Sequence, residues 1–297
     1  MRELFIGVDV GGTKTVAAVG DATAELGRAD GPGAAVRPGR ALVSAGTITE
    51  VARRALAAAG AMHAAAMVVG AAGAGREPER TDLREALRAE GLAERLVVTT
   101  DIEIALAAAF GPGPGIVVSA GTGSIAVGRD SRGALHRIGG YGWQMGDEGS
   151  GYAIGRAALG AVGRAADGRS APTALQERVL AATRSADLDA LVRWAASAGP
   201  AEVASLAPHV LAVAAEGDIV ARGIADYAAR ELSQLAKQLL PALDADRPVP
   251  VAVTGGLLAP ARLLYGTVLE KLREDSDLAV RDQPIDAAAG ALAMARS

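Results

Sequence analysis

Short runs of branched aliphatic residues, cut by glycine turns, dominate the first half of the chain; alanine and leucine at helical spacing dominate the second. Leu4–Val10, Thr15–Val19 and Glu25–Ala29 are predicted as three strands joined by tight turns, since each run is short and suits a pleated surface. A Gly- and Pro-rich loop, Gly31–Arg40, leads to a helix predicted around Ile48–Ala59. Ala66–Gly70 reads as a strand, and Glu79–Glu90 as a helix with Leu83, Ala86 and Leu87 on one face. Leu96–Thr99 is a further strand, with Asp101 at the start of a helix over Ile102–Phe110. This alternation implies a mixed sheet covered by helices. The run Gly111-Pro112-Gly113-Pro114-Gly115 breaks any helix and is expected to divide domains 1–112 and 113–297.

The second half opens with strands at Ile116–Val118 and Ile125–Gly128 around the turn Gly121-Thr122-Gly123-Ser124. A glycine-dense loop follows, Gly139-Gly140-Tyr141-Gly142-Trp143, and then Gly146-Asp147-Glu148-Gly149-Ser150, which opens a helix near Gly151. Helices are predicted over Tyr152–Ala166, Thr173–Ala182, Leu188–Ser197, Ala201–Ala215 and Ile219–Leu240. Pro250–Val253 returns to strand and ends at Thr254-Gly255-Gly256, and a last helix spans Ile285–Arg296. The stretch IGVDVGGTKTVAA from Ile6 repeats the design of IVVSAGTGSIAVG from Ile116, with Asp9 opposite Ser119 and Gly11 opposite Gly121. Two strand–turn–strand copies suggest a duplicated fold that holds nucleotide phosphates between its halves. A tight hairpin and a flexible loop are the plainer reading of the second copy taken alone.

Composition narrows the class. Apolar residues make up 50% of the 297, yet aromatics only 3%, so alanine and branched aliphatics must fill the cores. The net charge of −4 comes from interspersed acids and bases with no basic stripe, which argues against a nucleic-acid partner. With no cysteine, disulfides, thiolate zinc sites and cysteine-held iron–sulfur clusters are excluded. Uncharged stretches at Ala55–Gly75 and Ile104–Gly128 are long enough to be tested as membrane spans. The first is mostly Ala and Gly around His63, and the second is cut by the Gly-Pro run, so neither fits. The N-terminus has no signal-peptide apolar region, and a cytoplasmic location is expected.

Gly11-Gly12-Thr13-Lys14 and Gly121-Thr122-Gly123-Ser124 offer successive backbone donors and hydroxyls, as anion-binding concavities do. Gly7 to Gly12 has P-loop spacing, but Thr13 stands where that motif needs lysine. Lys14 reads equally as a solvated turn lysine or a phosphate contact. Asp101, between an apolar strand and a helix, suits a general base for a hydroxyl acceptor, and equally a helix N-cap. Asp9 ends its strand beside the first turn, placing it to bind magnesium through water, or else to be a buried turn acid. Asp147 can accept paired bonds from sugar hydroxyls, while Gly139 and Gly140 let a sugar ring approach the backbone. Glu148 reads equally as orienting the helix start. Trp143 is read as core in preference to a face against the sugar. His63, His136 and His209 are scattered and support no metal or triad chemistry.

On Asp9-Val10-Gly11-Gly12-Thr13, Thr99-Thr100-Asp101, Ala120-Gly121-Thr122-Gly123-Ser124, Gly146-Asp147-Glu148-Gly149-Ser150 and Thr254-Gly255-Gly256, in order along nearly the whole chain, the sequence resembles the sugar kinase/Hsp70/actin superfamily. More narrowly it is similar to the N-acetylglucosamine kinase branch of the BadF/BadG/BcrA/BcrD ATPase-like family. The resemblance implies an α/β fold of two duplicated actin-like, ribonuclease H-like domains with a cleft between them, the last helix packing on the first domain. It implies an ATP- and Mg²⁺-dependent kinase acting on the 6-hydroxyl of an amino sugar, with Asp101 as base. Gly11–Lys14 and Gly121–Ser124 would take the phosphates, Gly255 and Gly256 the adenosine, and Gly75, Gly139, Gly140, Asp147 and Asp101 the sugar. It further implies a homodimer, a state on which the residues themselves say nothing.

Two departures bear on the substrate. Ala35 stands where N-acetylglucosamine kinases carry a sugar-contacting asparagine, and Arg76 replaces an acid found in some relatives. N-Acetylmuramic acid is therefore an alternative acceptor, and glucosamine is a further one, since Glu148 or Asp147 could meet its ammonium. Among rivals, the cluster-bearing activator ATPases need cysteines that are absent. A transcriptional regulator would need a DNA-binding segment, expected to be lacking before the Leu4 strand. A non-catalytic sugar or nucleotide sensor is the alternative of another class, and Asp101 favours an enzyme.

Overall fold

The computed structural model describes residues 2–260 and 262–297, and the chain falls into two compact units, Met1–Pro112 with Ile285–Ser297 and Gly113–Pro284. In the first, apolar runs form an antiparallel meander of β1 (Phe5–Val10), β2 (Lys14–Gly20) and β3 (Glu25–Pro32). Then come α1 (Ala41–Ala58), β4 (Ala64–Ala71), α2 (Glu77–Ala89), β5 (Ala93–Thr99) and α3 (Asp101–Phe110). β4 joins β1 in parallel and β5 joins β4 likewise, so the sheet order is β3-β2-β1-β4-β5. Side chains alternate across it. Ile6, Val8 and Val10 share one core with Met67, Val69 and Ala71, beneath α1 and α2.

The second unit repeats the plan with β6 (Gly115–Ala120), β7 (Ser124–Arg129) and β8 (Leu135–Gly139) as its meander. Helices α4 (Gly151–Ala166), α5 (Leu175–Thr183), α6 (Leu188–Ser197), α7 (Pro200–Ala204), α8 (Ala207–Ala215) and α9 (Ile219–Leu239) precede β9 (Val249–Thr254), α10 (Leu263–Arg273) and β10 (Leu278–Val280). β9 pairs in parallel with β6, and β10 with β9, giving the order β10-β9-β6-β7-β8. Each sheet is thus a three-stranded meander extended by two parallel strands from its first strand. That is the mixed α/β architecture in duplicate which the repeated motif predicts.

The chain ends in α11 (Ala287–Arg296), which lies on the remaining face of the first sheet. Ala288, Ala291, Leu292 and Ala295 share a small core with Phe5, Ala66, Val68 and Ile104. Gly7 makes this approach possible, since a Cβ there would sit 2.1 Å from the Leu292 nitrogen. So close a helix needs little filling beyond alanine, a few aliphatics and the single ring of Phe5, which answers how a chain with few aromatics builds this core. Among the described residues no single helix is long and apolar enough to cross a membrane.

Several elements differ from expectation. Helix α1 starts at Ala41, because its first turn carries Leu42 and Val43 at 79% and 63% exposure and so lacks a buried face to read. β8 is an edge strand with no buried side chain, and its Leu-His-Arg-Ile sequence has no strand signature. The helix expected over Ala201–Ala215 breaks between α7 and α8, where Pro208 enters the first turn of α8. α10 and β10 lie in a stretch with no predicted element; β10 has only three residues.

Candidate active site

The first glycine turn follows β1. Gly11 N–H closes it on the Lys14 carbonyl at 2.9 Å, and Ala34 N–H caps the Gly11 carbonyl at 3.1 Å. The amides of Gly12 and Thr13 bond no group among the described residues, and both residues are exposed. Two adjacent free donors beyond a strand end are suited to an anion. Gly33 lies against it so closely that a Cβ would meet the Gly12 carbonyl at 2.2 Å. Lys14 extends its amine to Asp30, 3.7 Å away across the β2–β3 pair, and is 60% exposed.

The second turn is built alike, from different supports. Gly121 N–H closes on the Gly123 carbonyl at 2.9 Å, leaving the Thr122 and Gly123 amides without partners among the described residues. Ser124 faces inward: its N–H donates to Asp147 Oδ1 at 3.2 Å and its hydroxyl to the Glu148 carbonyl at 2.7 Å. Gly255, at φ 100°, abuts the end of β6, where a Cβ would meet the Ala120 carbonyl at 2.3 Å. Gly256 beside it is open, with nothing within 4 Å of such a Cβ.

The acids gather at the first turn. Thr100, not Asp101, is the N-cap of α3, its hydroxyl accepting from Glu103 N–H at 3.3 Å. Asp101 is thereby relieved of the capping task and begins the helix. Burial pushes its carboxyl up, opposed by the Ile102 and Asp101 amides, and nearby Glu103 adds to the rise. Asp9 is raised from 3.8 to about 6, by burial first and then by the charges of Asp101 and Asp286. Asp286 caps α11 by accepting from Ala289 N–H at 3.1 Å and pairs with Arg28 at 2.7 Å. Glu103 takes hydrogen bonds from the Thr99 and Thr100 hydroxyls at 2.5 and 2.8 Å. Glu103 and Asp286 are absent from the sequence-based candidates. The Thr-x-x-Glu spacing and an Asp before an alanine run were the signals available.

The loop after β8 adopts the left-handed region at Gly139, Gly140 and Gly142, with φ of 76°, 72° and 92°. Gly140 N–H donates to the Ser124 carbonyl at 3.1 Å, which seats the loop on the second turn. Asp147 is left-handed too, at φ 64°, and only 7% exposed. Burial raises its carboxyl, the amides of Ser124 and Gly142 lower it, and Glu148 raises it again. Ser150, rather than Glu148, caps α4, accepting from Ala153 N–H at 3.2 Å. Trp143 is not core: it is 42% exposed, its ring 5.2 Å from that of Tyr152. Gly75 lies near Thr100, 4.0 Å from a Cβ built on the glycine to the threonine methyl. Ala35, in the loop after β3, accepts a long bond from the Ser44 hydroxyl at 3.4 Å through its carbonyl.

Residues 6–295 match the BadF/BadG/BcrA/BcrD ATPase family, almost the whole chain. The protein belongs to that family. It is 33% identical over 236 residues to the N-acetylmuramic acid/N-acetylglucosamine kinase of Clostridium acetobutylicum, covering 78% of this chain and 77% of that one. To the N-acetyl-D-glucosamine kinase of Dictyostelium discoideum it is 28% identical over 298 residues, covering 92% and 91%. A crystal structure from Chromobacterium violaceum, provisionally named an N-acetylglucosamine kinase, superposes with a TM-score of 0.83 at 30% identity, covering 100% of this chain and 99% of the other.

An ATPase family calls for a nucleotide, and the donor chemistry fits one and would also suit a divalent cation. Asp9 offers hard oxygens in a desolvated spot beside two further carboxylates, of which, among the described residues, only Asp286 has a cationic partner. Among the described residues no three acids or histidines converge to hold a metal unaided. Such a set suits Mg²⁺, which keeps much of its water and takes one or two carboxylates plus phosphate oxygens. The open amide pairs at Gly12–Thr13 and Thr122–Gly123 suit phosphate.

Proposed function

We propose that this protein is an ATP-dependent kinase that phosphorylates the 6-hydroxyl of an amino sugar, with N-acetylglucosamine as the leading acceptor. The observation that carries this reading is Asp101, a half-buried carboxylate freed from capping by Thr100, close enough to Asp9 for their charges to couple. A base must be anionic and within reach of the proton it removes, and desolvation makes Asp101 a stronger base than an exposed carboxylate. Asp101 accepts the proton of the hydroxyl as its oxygen bonds to the γ-phosphorus. The bond from that phosphorus to the β,γ-bridging oxygen breaks, and ADP departs with the electron pair. Asp9 would hold the hydrated magnesium, which supplies positive charge against the phosphate oxygens when bound. The amides of Gly12, Thr13, Thr122 and Gly123 bind phosphate, Gly255 and Gly256 flank the adenosine, and the Gly139–Asp147 loop with Gly75 takes the sugar.

N-Acetylmuramic acid is a second acceptor with specific support. Ala35, partly exposed in the loop after β3, supplies no side-chain amide to an N-acetyl group, and its methyl takes up less room for a bulkier substituent than an asparagine would. The Clostridium relative carries both sugars in its name. A coupled ADP-release assay over N-acetylglucosamine, N-acetylmuramic acid, glucosamine, glucose and N-acetylmannosamine tests the class. The expected result is ADP release with an N-acetylated amino sugar; preference for glucose, or no sugar-dependent ADP, overturns the reading. Asp101→Asn should lower turnover by roughly 10²–10⁴ while still folding and binding ATP, and near-normal turnover would remove Asp101 from the mechanism.

A further inference from the structure

The carboxylate of Asp147 is turned away from open solvent and lies flat on the second glycine turn. A Cβ built on Gly123 would sit 2.7 Å from Asp147 Oδ2 and 3.0 Å from Oδ1, so the carboxylate occupies the space a side chain at 123 would need. Oδ1 accepts from Ser124 N–H at 3.2 Å. The backbone beneath it is left-handed, φ 64°, a conformation that aspartate tolerates better than most residues. Around this contact the turn and the following segment are stitched together by the main chain. Gly151 N–H donates to the Gly121 carbonyl at 2.8 Å, Tyr152 N–H to the Thr122 carbonyl at 3.2 Å, and Gly140 N–H to the Ser124 carbonyl at 3.1 Å. The Ser124 hydroxyl adds its bond to the Glu148 carbonyl at 2.7 Å. Asp147 is the only side-chain acceptor in this lattice among the described residues. The consequence is geometric: Ser124 is held inward while the amides of Thr122 and Gly123 remain unpartnered.

We propose that Asp147 is a positioning residue for the second phosphate turn, fixing Ser124 so that the Thr122 and Gly123 amides stand ready for the nucleotide. The inference rests on reading that turn as a phosphate site, and it gives Asp147 a task on the ATP side apart from any contact with sugar. A carboxylate has about four lone-pair positions, so a sugar hydroxyl can share it with Ser124 and Gly142. The decisive measurements are therefore taken without sugar.

Two variants separate the carboxylate from the backbone it sits on. Asp147→Gly keeps the left-handed conformation and deletes the acceptor; Asp147→Asn keeps the conformation and an oxygen acceptor. Binding of a non-hydrolysable ATP analogue with Mg²⁺ is measured by titration calorimetry in the absence of sugar. Exchange of the Ser124 amide is followed by NMR in the absence of every ligand. Asp147→Gly should weaken analogue binding about tenfold or more and speed Ser124 exchange by a similar factor, whereas Asp147→Asn should recover most of both. Unchanged analogue affinity and unchanged Ser124 exchange in folded Asp147→Gly, with only the sugar KM raised, would overturn the proposal and leave Asp147 a sugar ligand alone. Wild-type protein that binds no analogue would sink the phosphate reading instead; Ser124 exchange then still decides whether Asp147 holds the turn.

Discussion

Asp9 costs the folded chain stability at neutral pH, and replacing it with asparagine should recover that stability while destroying activity. Its carboxyl titrates at about 6 in the folded protein, against 3.8 for an unperturbed aspartate, because burial and the charges of Asp101 and Asp286 disfavour the anion. The folded state thus holds the proton more tightly than the unfolded state. Its stabilising effect is fully present below about pH 4 and is lost as pH rises through 6. A difference of about 2.2 units corresponds to about 3 kcal/mol at pH 7.5, and to less than about 1 kcal/mol at pH 4. Asp9→Asn is neutral throughout and also relieves Asp101 of a neighbouring charge. Its advantage over wild type should therefore grow from near zero at pH 4 to about 3 kcal/mol at pH 7.5.

Urea denaturation in EDTA, without nucleotide, measures this. Far-UV circular dichroism is the appropriate signal, because Trp143 and Trp194 both lie in the second unit and Asp9 in the first. A gap that is equal at the two pH values, or absent at both, would refute the assigned cause. Saturating magnesium nucleotide should then stabilise wild type, by about 2.7 kcal/mol at a hundredfold excess over Kd, and Asp9→Asn far less. A charge that is costly in the empty protein and compensated by its ligands is the ordinary trade between stability and function.

Thr122→Val removes the hydroxyl beside the two open amides of the second turn, so ATP affinity or turnover should fall without loss of fold; calorimetry showing unchanged binding, with an unchanged rate, would exclude the phosphate role. Gly7→Ala drives a methyl group to 2.1 Å from the Leu292 nitrogen, which forces α11 off β1. The expected loss is about 3 kcal/mol, the upper end of the overpacking range, and a loss below about 1 kcal/mol by denaturation would contradict the close packing. Ala35→Asn offers a side-chain amide to an N-acetyl group, worth about 0.5–1.5 kcal/mol. If wild type prefers N-acetylmuramic acid, the variant's kcat/KM ratio should move several-fold toward N-acetylglucosamine; an unmoved ratio would place Ala35 outside the sugar site.

The two sheets were legible because Ile6–Ala18 and Ile116–Gly128 repeat one strand–turn–strand pattern, and because β-branched runs ending in glycine can be little else. Most helices with a buried face were legible from their spacing, but α10 was not, although Leu264, Val268, Leu269 and Leu272 are buried on one side of it. α1 before Ile48 and β8 were not, since Leu42, Val43 and Leu135 point outward and leave hydrophobic periodicity nothing to register. At the site, the residue types were readable and their partners were not. Thr100 and Asp101 compete for one cap, and only the bond from Glu103 N–H to the Thr100 hydroxyl decides between them. Asp286 reaches the charge field of Asp9 from the far end of the chain, a proximity no local pattern encodes.

The duplication explains why the chemistry of the two halves is unequal. Both turns present two adjacent free amides, so each half can hold phosphate, yet the residue before the turn differs. Asp9 on β1 pairs with Gly70 of β4, while Ser119, its counterpart on β6, pairs with Thr254 of β9. The first unit also carries Asp101 after β5; the three-residue β10, the corresponding strand, is followed by a segment without a helix until Ala287. The first unit therefore concentrates the carboxylates that a base and a cation require. The second, with a neutral strand end, offers amide donors and the glycine loop, and its acids Asp147 and Glu148 follow that loop instead of ending a strand. On the reading proposed above, the contrast of Asp9 with Ser119 makes the first turn the one suited to a cation, while the second, braced by Asp147, presents its two amides beside a neutral strand end.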